Sequence, residues 1–105
     1  MGKKDKKRFE KWILVSIIPA YNCENTIVEC LNSVIKQTYY SYNCEVIIIN
    51  DGSIDHTKQK IDNFINKCGD NKIEVIDQKN CGVSVARNNG IKKAKGDWIV
   101  LFGFR

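Results

Sequence analysis

The stretch 46–53 constrains the fold of this chain more than any other. Four β-branched residues, Val46 to Ile49, run directly into the polar sequence Asn-Asp-Gly-Ser. A run that is apolar on both faces and stops at turn residues is typical of a central strand in a parallel sheet. Open α/β sheets bind ligands just beyond the carboxyl ends of such strands. Asp51, which stands at this end, is therefore the first candidate for a functional residue.

Strand-like and helix-like segments alternate along the rest of the chain. The pattern predicts strands at 13–18, 46–49, 73–76 and 98–102, with the first strand ending at Pro19. It predicts a helix from Thr26 to about 37–39, a second from Ser53 or Asp55 to Gly69, and a third over 83–95 closed by Gly96. The order β-α-β-α-β-α-β predicts an α/β fold with a parallel sheet and right-handed connections.

A glycine inside the third predicted helix indicates how closely that helix packs. Gly90 costs about 1 kcal/mol relative to alanine in a helix interior. We therefore expect the helix to approach the sheet closely at Gly90.

Topology brings two side chains from different loops together. Because parallel strands all end at the same edge, the loops 19–24 and 50–55 must lie side by side. An aromatic ring at Tyr21 and a carboxylate at Asp51 form a plausible nucleobase site. The ring can stack on a base while the carboxylate accepts a hydrogen bond from a ring N–H.

Length and charge describe one small domain with a basic amino terminus. The chain has 105 residues and a formal net charge of +5, much of it within residues 1–11. We interpret 1–11 as a solvated tail and 12–105 as the domain. Charge alone supports neither nucleic acid nor a membrane as partner, so we expect no nucleic acid and keep membrane contact through the tail as an alternative.

Cysteine usage bears on metal binding and on location. The five cysteines include no C-x-x-C pair, and the chain has a single histidine, which argues against a zinc site. Scattered thiols without a signal peptide fit a reducing compartment, so we expect a cytoplasmic location, with the inner face of a membrane as the alternative. No apolar stretch reaches the roughly 20 residues of a membrane helix.

Several short motifs, taken in order, resemble the family 2 glycosyltransferases, which have the GT-A fold. The resemblance covers about residues 13–102 and predicts the Rossmann-like, nucleotide-binding half of that fold. The motifs are Val15-Ser16-Ile17-Ile18-Pro19-Ala20-Tyr21-Asn22 with Glu24, Cys30 to Val34, Gln37-Thr38-Tyr39, Asn50-Asp51-Gly52-Ser53 with Asp55 and Thr57, Asn80, Gly82-Val83-Ser84, Ala86-Arg87-Asn88, and Gly96 to Ile99.

The resemblance implies a nucleotide-sugar donor, often a UDP-sugar, and transfer to an acceptor, usually with inversion. Family members commonly carry two aspartates before Gly-Ser, whereas this chain has Asn50 and Asp51. The acceptor is unknown. The residues that the resemblance implies for nucleotide binding are Pro19, Ala20, Tyr21, Glu24, Asp51, Ser53 and Arg87.

Each of these residues also has a structural interpretation. Tyr21 can pack over its own loop, Asp51 can cap a turn, and Arg87 can be an exposed basic residue of a helix. Glu24 and Asp55 can be helix-terminal charges. Other doubly wound domains remain an alternative, although a receiver domain requires acids at the end of the first strand, where this chain has Pro19-Ala20-Tyr21.

The sequence departs from the family after the fourth predicted strand. The family carries an Asp-x-Asp motif there, which holds Mg²⁺ or Mn²⁺ on the donor diphosphate, whereas this chain has Gly103-Phe104-Arg105. The usual acceptor region and general-base carboxylate are also absent from this sequence. We therefore expect a nucleotide-binding fragment that holds no metal and does not transfer sugar alone. The alternative is a non-catalytic nucleotide-binding or interaction module, or the partner of a separately encoded C-terminal half.

The genetic code suggests how the metal motif was replaced. The codons GGA TTC AGA TGA encode Gly-Phe-Arg and a stop, and the same bases read from the second position encode Asp-Ser-Asp. Our hypothesis is a frameshift or a phase-variable switch. Sequencing the gene beyond its stop codon should show a glycosyltransferase reading frame in the shifted register, and the absence of such a frame would contradict the hypothesis.

Overall fold

Strands and helices alternate along the chain in the order that the sequence predicts. The structure is a computed structural model that describes residues 14–38, 44–68, 73–95 and 98–101. The predicted tail 1–11 and the segment 103–105 lie outside these residues. In chain order, the described elements are β1 (Leu14–Ala20), α1 (Ile27–Thr38), β2 (Cys44–Asp51), α2 (Thr57–Cys68), β3 (Ile73–Gln78), α3 (Val83–Lys93) and β4 (Trp98–Leu101).

The described strands form a single parallel sheet in the order β3-β2-β1-β4. β1 pairs with β2 from Leu14 opposite Cys44 to Ala20 opposite Asn50. After β3 the chain crosses back and adds β4 on the far side of β1, so the direction of winding reverses between β1 and β4. Ligands of doubly wound sheets bind at the carboxyl edge near such a reversal. The fold is the Rossmann-like α/β arrangement that the sequence predicts.

The β-branched run of β2 is buried on both faces of the sheet. Val46 and Ile48 belong to a core cluster that includes residues of α1 and α2, while Ile47 and Ile49 face Ala86 of α3. The four side chains are between 0 and 2% exposed. Each contributes about 1.5–3 kcal/mol by leaving water. The prediction of a central parallel strand is confirmed, and its burial fixes the position at which Asp51 leaves the core.

The predicted end of the first strand is wrong. β1 continues through Pro19 to Ala20, with Pro19 opposite Ile49 of β2. In a parallel sheet, successive residues of a strand direct their backbone N–H and C=O groups alternately to the neighbouring strand on one side and to the neighbouring strand on the other. The described pairing of β1 with β4 ends at Ile17 opposite Leu101. A proline beyond that point can direct its ring to the β4 side while the pairing with β2 continues, so Ala20 stays in the sheet beside the carboxyl edge.

Gly90 permits the close approach of α3 that the sequence predicts. A Cβ atom at Gly90 would lie 2.7 Å from Cγ2 of Ile17 and 2.8 Å from Cδ1 of Ile49. Helix α3 ends at Lys93, two residues before the predicted end, because Ala94 has an extended backbone (φ −63°, ψ 133°). The N–H of Ala94 still donates to the carbonyl oxygens of Gly90 and Ile91. The predicted terminator Gly96 lies outside the described residues.

β4 is an edge strand of the described sheet and carries exposed apolar side chains. Ile99, Val100 and Leu101 are 39–48% exposed. Because successive residues of a strand point to opposite faces, both faces of the sheet expose apolar surface here. No helix among the described residues is long and apolar enough to cross a bilayer.

Candidate functional site

Two hydrogen bonds tie the loop after β1 to the loop after β2. The N–H of Asn22 donates to Oγ of Ser53 at 3.0 Å, and the N–H of Ile54 donates to Oδ1 of Asn22 at 2.9 Å. Asn22 has a left-handed backbone (φ 47°), which asparagine tolerates better than most residues. The pair of bonds fixes the first loop directly after Tyr21, so the two predicted site loops are brought together.

Asp55 also connects the loop after β1 with the loop after β2. Its Oδ1 accepts hydrogen bonds from the N–H of Thr57, at 2.9 Å, and from the Thr57 hydroxyl, while Oδ2 accepts from the N–H of Glu24 at 3.3 Å. The Thr57 hydroxyl oxygen accepts a hydrogen bond from the N–H of Cys23 at 2.8 Å. Partial desolvation acts to raise the pKa of Asp55, but these hydrogen bonds outweigh it and lower the pKa below the usual value.

Asp51 holds a third loop in place. Its Oδ1 accepts hydrogen bonds from Nε2 of Gln78 and from the N–H of Cys81, each at 2.8 Å, and its Oδ2 accepts from the N–H of Gly82 at 3.0 Å. These donors come from the end of β3 and from the segment before α3. An ionised carboxylate has about four acceptor positions. Among the described residues, the donors occupy two positions on Oδ1 and one on Oδ2, which leaves one position on Oδ2.

A cavity of about 290 Å³ opens where these loops meet. This volume lies at the lower end of the range for small-molecule sites, about 300–1,000 Å³. Asp51 is only 4% exposed, whereas Tyr21 is 43% exposed. The cavity therefore combines a buried acceptor with an accessible aromatic surface. Its lining residues are Pro19, Ala20, Tyr21, Asp51, Asn80, Gly82 and Val83.

Pro19, Ala20, Tyr21 and Asp51 are thus brought together, but three other sequence-predicted residues lie outside the cavity lining. Ser53 makes the bond between the loops described above. Glu24 pairs with Nδ1 of His56 at 3.1 Å, and its carbonyl oxygen accepts a hydrogen bond from Nζ of Lys60 at 2.8 Å. Arg87 lies on α3, one turn beyond Val83, and its buried Nε has no hydrogen-bond partner among the described residues.

The sequence analysis did not include Asn80, Gly82 or Val83 among the predicted site residues. All three lie in motifs that carried the family resemblance, which was a signal that could have identified them. Gly82 has a backbone conformation (φ 95°, ψ 161°) that is almost confined to glycine. This conformation allows its N–H to donate to Asp51 while α3 begins at the next residue.

Asn50 uses both ends of its side-chain amide. Nδ2 donates to Oδ1 of Asp77 at 3.1 Å, and Oδ1 accepts a hydrogen bond from the N–H of Ser53 at 3.3 Å. Oδ2 of Asp77 is paired with Nζ of Lys58 at 3.2 Å. An aspartate at position 50 would lose the donor and place a second carboxylate against Asp77. The asparagine therefore fits its surroundings in this chain.

The described residues do not fit a divalent cation. They contain no group of three or more His, Cys, Asp or Glu side chains that could hold one. The described residues that line the cavity include one carboxylate, Asp51, and its oxygens already accept hydrogen bonds from protein groups. Mg²⁺ and Mn²⁺ require several oxygen ligands. The segment Gly103-Phe104-Arg105, where the resemblance implies the metal motif, lies outside the described part of the chain.

Comparison with known proteins identifies the family. Residues 16–103 match the model of the protein family described as "Glycosyl transferase family 2". The chain belongs to this family. It is 40% identical over 85 residues to the glycosyltransferase GlyA of Streptococcus pneumoniae, and the match covers 81% of this chain and 12% of GlyA. This family 2 chain thus spans about an eighth of the length of that relative.

Solved structures agree with the family assignment. The structure of Staphylococcus aureus TarS 1–349 in complex with UDP is 32% identical, with a TM-score of 0.73, and the match covers 86% of this chain and 26% of the TarS 1–349 chain. The mannosyltransferase PcManGT of Pyrobaculum calidifontis, in complex with GDP-Man and Mn²⁺, has a TM-score of 0.76 at 22% identity, covering 91% of this chain and 32% of PcManGT. The second likeness concerns the fold alone, which is GT-A.

Gly52 brings the backbone of the loop after β2 against the backbone of Asn80. It has a φ of 71°, and a Cβ atom there would lie 2.5 Å from the backbone nitrogen of Asn80. Gly82 also has a positive φ, but a Cβ atom at that position would meet nothing within 4 Å. The two glycines therefore separate backbone strain from a steric clash.

We expect Gly52→Ala to destabilise the fold more than Gly82→Ala. The strained backbone costs about 1–3 kcal/mol at either position, and the clash with Asn80 adds about 1–3 kcal/mol at Gly52 only. Urea unfolding of both variants and the parent chain measures the difference in the free energy of unfolding. Equal losses in the two variants, or a larger loss for Gly82→Ala, would show that the contact with Asn80 is unimportant.

Proposed function

We propose that this chain holds the nucleotide of a nucleotide-sugar donor, with the base in the cavity between Tyr21 and Asp51, and that UDP-sugars are the substrate class. The observation that carries the proposal is the remaining acceptor position on the buried carboxylate of Asp51, within a cavity that also has an accessible aromatic ring. In this arrangement the base stacks on Tyr21 and donates a ring N–H to Asp51.

This geometry favours bases with a ring N–H next to a carbonyl group, which uracil and guanine both have. Cytosine and adenine present a ring acceptor at the equivalent position, which would face a carboxylate oxygen. The complexes of TarS with UDP and of PcManGT with GDP-Man support donors of this kind. We propose uracil rather than guanine because the complex with UDP belongs to the relative that is also similar in sequence, at 32% identity.

Two features support binding of the diphosphate next to the base. α3 begins at Val83 after a glycine that provides no side-chain cap, and backbone N–H groups at a helix N-terminus favour phosphate. Arg87, on the next turn, has a buried Nε without a partner in the described part of the chain. A guanidinium group is well suited to phosphate oxygens. We place the diphosphate between the start of α3 and Arg87.

The second candidate function is a non-catalytic nucleotide-binding module. The lining of the cavity favours it, because Asp51 is the one carboxylate among the described lining residues and already holds the loop before α3. Both candidates predict nucleotide binding without metal. They differ in turnover: incubation of this chain with UDP-sugars, Mn²⁺ and candidate acceptors should release UDP only if the chain is a complete transferase.

Substitution of Asp51 is a poor test of base recognition because its carboxylate also holds three donors of the described structure. Changing the base avoids this problem. We expect isothermal titration calorimetry to detect UDP binding without metal, with CDP about tenfold weaker, since an unpaired or opposed buried polar group costs about 1–3 kcal/mol. Equal binding of UDP and CDP would contradict the assignment of Asp51.

Tyr21 provides the matched test of stacking. Base–aromatic stacking contributes about 1–3 kcal/mol per base, so Tyr21→Ala should weaken UDP binding about tenfold or more. Tyr21→Phe keeps the ring and should bind UDP like the parent chain. The same titration and a thermal melt of each variant separate lost stacking from lost folding. Unchanged binding by a folded Tyr21→Ala variant would exclude the ring from the site.

A further inference from the structure

Gln78 and Asn89 form a chain of side-chain hydrogen bonds that ends on Asp51. Nδ2 of Asn89 donates to Oε1 of Gln78 at 2.6 Å, and Nε2 of Gln78 donates to Oδ1 of Asp51 at 2.8 Å. Neither Gln78 nor Asn89 lines the cavity. We propose that they are positioning residues, which orient the carboxylate of Asp51 so that Oδ2 presents its remaining acceptor position to the base. The proposal rests on the nucleotide-binding function given above.

The chemistry of Asp51 sets the direction of this chain. An ionised carboxylate only accepts hydrogen bonds, so Gln78 must present its NH₂ group to Asp51. Oε1 of Gln78 then points away and requires a donor, which Nδ2 of Asn89 supplies. Reversing the Gln78 amide would place oxygen against oxygen at Asp51 and nitrogen against nitrogen at Asn89. Each amide is therefore held in one orientation by the other.

The two residues stand on the elements that frame the third loop of the site. Gln78 is the last residue of β3, and Asn89 lies on α3, which packs on β1 and β2. Between them, the segment 79–82 supplies the N–H groups of Cys81 and Gly82 to Asp51. Both amide side chains are half-buried, where hydrogen bonds are electrostatically stronger than in water. The chain thus fixes Oδ1, whereas the acceptor position proposed for the base belongs to Oδ2.

If Gln78 and Asn89 position Asp51, their substitution should change which base the site prefers. Loss of packing alone would not change that preference. Asn89→Asp replaces the NH₂ donor with an acceptor oxygen, so Oε1 of Gln78 loses its hydrogen-bond donor. The side-chain amide of Gln78 then favours the reversed orientation, in which its NH₂ group faces position 89. Gln78→Glu places a carboxylate directly against Asp51. Both variants keep the shape of the side chain. If the acceptor of Asp51 is misdirected, UDP binding falls. CDP binding is affected much less, because the ring N3 of cytosine carries no hydrogen to donate to that acceptor.

The test compares the ratio of UDP to CDP affinity in the full chain and its variants by calorimetry. We expect the ratio, about tenfold in the parent chain, to fall at least fivefold in Asn89→Asp and Gln78→Glu. Asn63→Asp and Gln59→Glu make the same chemical changes at exposed positions of α2, on the other face of the sheet, and should leave the ratio unchanged. Added negative charge weakens both nucleotides alike, so the ratio isolates the orientation of Asp51. An unchanged ratio in folded variants overturns the proposal.

A second readout needs no nucleotide. Hydrogen exchange followed by NMR reports on the Cys81 and Gly82 amides, which donate to Asp51. We expect their exchange to accelerate about fivefold to tenfold in Asn89→Asp relative to Asn63→Asp. If the parent chain does not bind UDP, the proposed function fails, but faster exchange still supports orientation of Asp51 by the amide chain. Unchanged exchange at both amides overturns the positioning role whether or not nucleotide binds.

Discussion

The carboxylate of Asp51 is the interaction on which the site depends. The buried, β-branched run of β2 fixes where this carboxylate emerges, and its two oxygens accept hydrogen bonds from the end of β3 and from the loop that precedes α3. Without this carboxylate, the backbone N–H groups of Cys81 and Gly82 would lose their hydrogen-bond acceptor. One side chain therefore links the core of the sheet to the wall of the cavity, which is why its structural and functional roles cannot be separated by its removal alone.

The rest of the site is built from loops that the parallel sheet places at one edge. Asn22 exchanges hydrogen bonds with the loop after β2, which holds Tyr21 over the cavity, and Gly52 lets that same loop touch the backbone of Asn80. Each of these loops is thus held by contacts with a neighbouring loop. β4 lies next to β1, on the side away from β2, and exposes apolar side chains on both faces of the sheet.

The sequence predicted the arrangement of strands well because burial on two faces leaves a strong signal, as in Val46 to Ile49. It also predicted that Tyr21 and Asp51 lie at one site, since parallel topology alone brings their loops to the same edge of the sheet. It did not predict that β1 continues through Pro19, because the pattern does not show which neighbour a strand residue faces. It also missed the contacts of Asp51 with Gln78 and Cys81, since side-chain hydrogen bonds between residues about thirty positions apart have no periodic pattern in the sequence.

Our central claim is that the base of a nucleotide sits between Tyr21 and Asp51 in a site that this family 2 chain forms without metal. The most direct measurement is a titration of the ¹⁵N-labelled chain with UDP, followed by NMR in the presence of a chelator. The account predicts saturable shifts of the backbone amides at Tyr21, Asp51 and 80–83, with the α1 and α2 face unchanged. Shifts confined to other surfaces, or none at millimolar UDP, would contradict it.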